Sequence, residues 1–424
     1  MSRRIALMMK LKIPPRIAMR AMRLLAAGAA TLAAACGTPS PSLPPAEAGA
    51  AAPTAKPEPL PPPPWRDDVP LTVTSGHMEW TDPSRDRTIT AQWTAPTGAA
   101  ARALLLVLPG LAQGTFVPPA VIEALAGSGF AVVILGHPGN DATVWQGPEA
   151  RRADFTQAAR RMYAAGEVAE RGADVRFALD ALERQPPPWL SPAAMRRVGA
   201  VGIGLGSQTL QWMLGEAMAR GQVPASEPRI VAAALLGPYV GFEGPGMHQR
   251  YAAIVTPLLV AYGLTETDPY GLGMTSQQRR AMVAELKNAQ VTELRLPTSS
   301  LVGTLVPGGT MAPMPPAGAP PPDGSSMPRS EPAQRTTRNP GATLPGGGAQ
   351  QGSLLAQRPH QNMPGAPRSA APTPGDRSAR VALLLSVQAF FEARLLGNAD
   401  AREWLEGPHP GPAQWTTYAA GRPS

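Results

Sequence analysis

The sequence predicts an α/β fold, with a mostly parallel central sheet flanked by helices on both faces. Three observations predict it. Short, uninterrupted apolar runs such as ALLLVL (103–108) and FAVVIL (130–135) recur along the chain. Runs with a helical apolar pattern separate them. A strand that is apolar on both sides belongs in a sheet covered on both faces, and strands alternating with helices give parallel pairing. The third observation is a run of alternating glycines, Gly202, Gly204 and Gly206, between one such strand and a helix.

Taken in order, residues 71–74 and 88–93 read as an opening antiparallel pair. Residues 103–108 form a buried strand closed by Pro109-Gly110, and 119–126 a helix ended by Gly127 and Gly129. The strand at 130–135 is closed by the turn GHPG (136–139), and a long helical region covers 153–183. A strand at 198–203 leads to a helix at 207–220. Further strands follow at 230–236, 257–262 and 292–296. Residues 379–396 (ARVALLLSVQAFFEARLL) form an amphipathic helix with Gly397 at its C-cap position.

Composition shows which segments stay outside the core. Pro (52) and Gly (43) make up over a fifth of the 424 residues, well above ordinary usage, and they are concentrated. Residues 37–64 are Pro/Ala-rich, ending PEPLPPPP, and read as a stiff, extended tether. Residues 307–377 are Pro/Gly-rich with few apolar side chains and read as a long disordered insertion before the last helix. The core is therefore expected at 65–306 and 378–405, with 406–424 as a tail.

The N-terminus reads as an export signal. Residues 1–35 carry seven Lys/Arg and no acid, and the apolar run LLAAGAATLAAA (24–35) is too short to span a bilayer, which needs about 20 residues. It ends at Cys36, the single cysteine of the chain, which cannot form an internal disulfide. The stretch LAAAC resembles the lipobox of bacterial lipoproteins, and this implies lipidation of Cys36 after cleavage. Such an anchor holds a protein on a membrane surface. Gly37 in place of Asp after that cysteine resembles lipoproteins sorted to the outer membrane. Without the seven basic residues of the signal, the formal charge of +8 falls to +1, which leaves no electrostatic footprint for nucleic acid.

The glycine run sits where some α/β enzymes place a G-x-S-x-G nucleophile elbow, a tight strand-to-helix turn that tolerates only small residues around the nucleophile. Here the strand at 198–203 runs into Gly202-Ile203-Gly204-Leu205-Gly206, and Gly204 occupies the serine position. With LVLPG (106–110), GHPGND (136–141), RGADVRFALDAL (171–182), RIVAAALLGP (229–238), TPLLVAYGLTETDPYGLG (256–273) and AFFEARLLGNADAREWL (389–405), the chain resembles a bacterial branch of the α/β-hydrolases. That branch comprises the dienelactone hydrolase-like proteins, related to platelet-activating-factor acetylhydrolase. The resemblance implies an α/β-hydrolase fold and carboxylic-ester chemistry by a serine, a histidine and an acid, with no cofactor or metal.

It also shows what is missing. The acid position falls on Glu266 or Asp268, the latter also suited to capping a turn. The family's histidine follows the last strand, where this chain has Thr298-Ser299-Ser300-Leu301; His360 and His409 lie in Pro-rich sequence. His137, in the GHPG turn, lies where a strand end of an open sheet places active sites. Ser207, three residues past Gly204, is a helix-capping residue or a displaced nucleophile. The oxyanion-hole donors are backbone N–H groups, which by position belong to Leu205 and to Leu111 or Ala112. They survive the loss of a side chain, so an acyl or carboxylate ligand could still be held without being cleaved.

The expected function is therefore that of a catalytically degenerate hydrolase acting as a binding or scaffold lipoprotein of the envelope. The 307–377 insertion is a candidate surface for a protein partner. The alternative is a working esterase that uses Ser207 with His137. A dinucleotide-binding reading of Gly202 to Ser207 is weak, because the third glycine of G-x-G-x-x-G is Ser207.

Overall fold

The computed structural model describes residues 61–66, 69–151, 154–221, 225–241, 244–266, 268, 270–305, 374–409 and 413–421. The export segment, Cys36, residues 37–60 of the tether and the insertion up to residue 373 lie outside the described residues, as does His360.

A hairpin opens the fold, β1 (Val73–Asp82) with β2 (Arg87–Pro96). Then come β3 (Ala103–Leu108), α1 (Pro119–Gly127), β4 (Phe130–Gly136), a 3-10 turn (Ala142–Gln146), α2 (Pro148–Arg151), α3 (Phe155–Met162), α4 (Ala165–Arg184) and α5 (Pro192–Met195). The second half holds β5 (Val198–Ile203), α6 (Leu205–Met213), β6 (Ile230–Leu236), α7 (Met247–Tyr251), β7 (Leu258–Gly263), α8 (Ser276–Glu285), β8 (Val291–Leu296) and α9 (Leu301–Leu305). The chain closes with α10 (Pro374–Leu395), α11 (Ala399–Glu406) and β9 (Gln414–Tyr418).

The nine strands form one sheet in the order β1-β2-β4-β3-β5-β6-β7-β8-β9. The run from β4 through β8 is parallel, and only the β1–β2, β2–β4 and β8–β9 pairs are antiparallel. The expected α/β-hydrolase fold is present: a mostly parallel sheet, helices on both faces, and a sharp strand-to-helix bend after β5.

The two-sided burial has a simple origin. Side chains alternate along a strand, so a wholly apolar strand feeds two cores. In β3, Leu104, Leu106 and Leu108 enter the core under α4, α6 and α8. Ala103, Leu105 and Val107 enter the opposite core, under α1, α10 and α11.

Four expectations are corrected. The first strand begins at Val73 and runs to Asp82, because it is an edge strand whose alternating exposed residues weaken its apolar signal. The long helix at 153–183 is two helices: Tyr163 ends α3, and Ala164, extended at ψ 147°, starts α4. The helix expected at 207–220 starts at Leu205 and stops at Met213, because Gly215 takes φ +118°. The expected tail contains β9, which pairs with β8 in register from Val291↔Tyr418 to Arg295↔Gln414.

The topology gathers the carboxyl ends of β3 to β8 along one edge, where ligand sites of open α/β sheets form. Among the described residues, no helix is long and apolar enough to cross a membrane.

Candidate functional site

At the centre of that edge lies the bend between β5 and α6. Gly204 has φ +51° and ψ −105°, a conformation that side-chain-bearing residues rarely adopt. Its N–H donates to the Leu236 carbonyl at 2.8 Å, and its carbonyl accepts from the Gln208 N–H at 3.2 Å. The flanking glycines are required by contact. A Cβ on Gly206 would stand 1.9 Å from the Leu108 carbonyl oxygen, and one on Gly202 2.6 Å from the Ser207 backbone. Gly204 differs: a Cβ built there meets no atom closer than the Tyr163 hydroxyl, at 3.9 Å. The frame of an elbow is closed around a position that has room for a side chain and has none.

Ser207 does not fill that room. It is fully buried, and its Oγ donates to the Gly202 carbonyl at 2.6 Å and lies 3.1 Å from the Leu236 carbonyl. Its hydroxyl ties the end of β5 to β6 and faces into the protein.

His137 is buried behind the edge. Its Nδ1 lies 3.1 Å from Asp174 Oδ2, on α4. A carboxylate in that position makes Nδ1 the donor, so Nε2 carries the lone pair, and Nε2 is buried with no partner. Asp174 also accepts from Arg87 Nε at 2.8 Å, Arg87 Nη2 at 2.6 Å and Arg85 Nη1 at 2.8 Å. Burial opposes its ionisation, but the Arg87 and His137 hydrogen bonds hold it well below the ordinary carboxylate range. Burial lowers the His137 pKa against the pull of Asp174. This cluster joins the β1–β2 hairpin to α4 and β4. The structure does not pair His137 with Ser207, so the displaced-nucleophile arrangement is not formed.

Both acid candidates are committed elsewhere. Glu266 Oε2 accepts from Arg279 Nη1 at 3.0 Å and from the Gly263 N–H at 3.1 Å, while Oε1 accepts from the Leu301 N–H at 3.4 Å. Arg279 Nε in turn donates to the Pro238 carbonyl at 2.9 Å. Asp268 accepts from the N–H groups of Tyr270 and Met274, at 3.2 and 3.0 Å, and so shapes its own loop. After β8, where the family's histidine is expected, Thr298 bonds Thr304 Oγ1 at 2.9 Å. Of the other described histidines, His77 lies in β1, His248 pairs with Glu285 at the surface, and His409 stacks between Trp404 and Trp415.

Of the oxyanion candidates, Ala112 is corrected. Its N–H donates to Asn140 Oδ1 at 3.0 Å, and Asn140 Nδ2 donates back to the Gly110 carbonyl at 3.1 Å. This clamp holds Ala112 at φ +62°. Leu205 opens α6, so its N–H has no intrahelical acceptor. Leu111 is buried in the same cluster as Leu205.

That cluster is what sequence reasoning missed. Leu111, Val144, Ala159, Met162, Tyr163, Leu205, Leu272 and Met274 pack together, with Trp145, Tyr239 and Tyr270 partly buried against them. Tyr163 lies 4.6 Å from Tyr239 between ring centroids, and Trp145 stacks on Tyr270 at 5.8 Å. Burial pushes the Tyr163 hydroxyl pKa up, and Tyr270 is pushed up to about 12, so both stay protonated. The available signal was Gly166, a weak helix former beside the break at Ala164 between α3 and α4.

No family model and no curated protein matches the chain. Among solved structures, a cold-adapted esterase from an Arctic intertidal metagenomic library is 18% identical, over 54% of this chain and 87% of its own, with a TM-score of 0.38. A ferulic acid esterase from Streptomyces cinnamoneus is 17% identical, over 80% and 94%, with a TM-score of 0.46.

Proposed function

We propose that the chain is a catalytically silent α/β-hydrolase-fold protein of the dienelactone hydrolase-like branch, serving as a binding or scaffold lipoprotein of the bacterial envelope. One observation carries this: the elbow at Gly204 has no attacking atom, and within 4 Å of the position a side chain would occupy lies one tyrosine hydroxyl and no imidazole. Acyl transfer needs an oxygen or sulfur nucleophile and a base within hydrogen-bond reach of it. Losing either member alone removes most of the rate. The alternative, an esterase using Ser207 and His137, would require Ser207 to leave two carbonyl partners and turn out of a fully buried position.

An ester assay separates the two readings. The purified protein, given short-chain fluorogenic esters, is expected to show no turnover above the uncatalysed rate. Turnover lost in a folded Ser207→Ala variant would overturn the silent reading.

The anchor proposal rests on the signal layout ending at Cys36. It places the folded part on the periplasmic side, with the outer membrane favoured and residues 307–377 available to a protein partner. In cells, Cys36→Ser is expected to move the protein from the membrane fraction to the soluble one. If the variant stays with the membrane, Cys36 is not the anchor.

A further inference from the structure

The vacant position at Gly204 is surrounded by groups that share one chemistry. Tyr163 is 6% exposed, and its hydroxyl points into the vacancy without a hydrogen-bond partner among the described residues. That hydroxyl is free to donate its proton to a group that enters the vacancy. Leu205 presents its N–H at the start of α6, a nine-residue helix whose N-terminus favours negative charge.

Behind Tyr163 lies Arg171, 2% exposed. Its Nε donates to Thr209 Oγ1 at 3.0 Å and its Nη2 to the Met162 carbonyl at 2.8 Å; Nη1 has no partner. No carboxylate among the described residues pairs with this guanidinium within ion-pair distance. Glu167 and Asp174 act on it only from beyond ion-pair distance, so its charge is partly balanced and still favours an anion nearby. Arg279, also buried, adds positive field at Tyr163, although Glu266 partly balances it. Beside it lie aromatic and apolar groups: Tyr163 packs with Tyr239 and Trp145 with Tyr270, in one cluster with Leu111 and Met274.

We propose that this vacancy is the anion pocket of a binding site for a small aromatic carboxylic acid. One carboxylate oxygen occupies the space of the missing side chain and accepts from Tyr163 Oη–H and the Leu205 N–H. The ring of the acid packs on the tyrosine and tryptophan walls. The inference rests on the silent reading of the elbow, because a working nucleophile would need the same space. No bond is made or broken.

The test is calorimetric titration of the full chain with benzoate, and with benzamide and benzyl alcohol as neutral analogues of similar shape. Benzoate is expected to bind saturably, one per chain, and more tightly than either analogue. Tyr163→Phe removes one charge-assisted hydrogen bond and no volume, so it is expected to weaken benzoate binding about tenfold or more. Gly204→Val, which fills the vacancy, is expected to abolish binding; Tyr163→Phe keeps the test decisive if that variant does not fold.

Absence of saturation with benzoate, phenylacetate and cinnamate at millimolar concentration overturns the proposal. So does equal affinity for benzoate and benzamide, or an unchanged Tyr163→Phe. These failures leave the ester assay untouched. Ester turnover would overturn the silent reading and, with it, the assignment of benzoate to the vacancy, even where benzoate binds.

Discussion

Gly202, Gly204 and Gly206 look alike in the sequence and differ in what surrounds them. Gly202 and Gly206 face backbone atoms so near that no side chain fits, so the tight frame explains them fully. Gly204 faces open space, and its positive φ is the strain an elbow imposes on whatever residue sits there. The bend therefore keeps its form with no side chain, and so no side-chain nucleophile, at residue 204. Gly204→Ser is predicted to fold, at a cost of about 1–2 kcal/mol for a side chain at positive φ. It is also predicted to hydrolyse no ester above background, because Tyr163 stands where a base is needed and its proton is firmly held. Measurable turnover by this single variant would mean that a base reaches the bend after all.

At the scale of elements, two buried ionisable groups tie neighbouring pieces together and respond to pH in opposite directions. His137 joins β4 to α4 through Asp174, surrounded by Arg85, Arg87 and Arg171. Its pKa is lowered in the fold, chiefly by burial, so the unfolded chain binds its proton first. Stability linked to His137 is then lost as pH falls below about 6.5, by up to about 1.4 kcal/mol per pH unit. Glu216, buried after α6, accepts from Gln208 Nε2 at 2.8 Å, Gln211 Nε2 at 3.2 Å and Arg250 Nη1 at 3.3 Å. Burial raises its pKa to about 7 despite Arg250. A raised carboxyl contributes stability that is present at low pH and lost as pH rises through the folded value. Urea unfolding across the neutral range separates the two. Relative to the parent, His137→Asn is expected to gain stability as pH falls below about 6.5, and Glu216→Gln to gain as pH rises towards 7. Stability curves parallel to that of the parent would show that these groups do not titrate as their surroundings require.

For the whole molecule, the C-terminal strand completes the sheet, and Trp65 secures the start of the core to the last two helices. β9 covers the edge of β8. Trp415 Nε1 donates to Ser386 Oγ of α10 at 2.9 Å, and the Tyr418 hydroxyl donates to Glu293 Oε2 at 2.9 Å. Trp65, the first residue after the tether, packs 4.7 Å from Trp404 and donates to Glu392 Oε2 at 3.1 Å. An uncovered strand edge is a template for pairing with another chain. Removing residues 408–424 is expected to lower the melting temperature and to produce concentration-dependent association by size-exclusion chromatography. A truncated chain that stays monomeric with an unchanged melting temperature would show that β9 adds nothing.

By itself the sequence determined the order of the strands from β1 to β8, the elbow after β5 and the absence of a side-chain oxygen at residue 204. Uninterrupted apolar runs, a glycine frame and the identity of one residue are local facts, and the chain states them directly. It left open where β1 begins, the break at Tyr163 and the existence of β9, because exposed edge strands and short helix breaks carry weak apolar signals. Only the tertiary structure decided what surrounds the vacancy. Tyr163 and Arg171 come from neighbouring turns of α3 and α4 and Tyr239 from the loop after β6, and the crossovers between parallel strands bring them to one edge of the sheet. The same packing commits Ser207, Glu266 and Asp268 to backbone partners, because a buried polar atom takes the nearest partner the fold supplies.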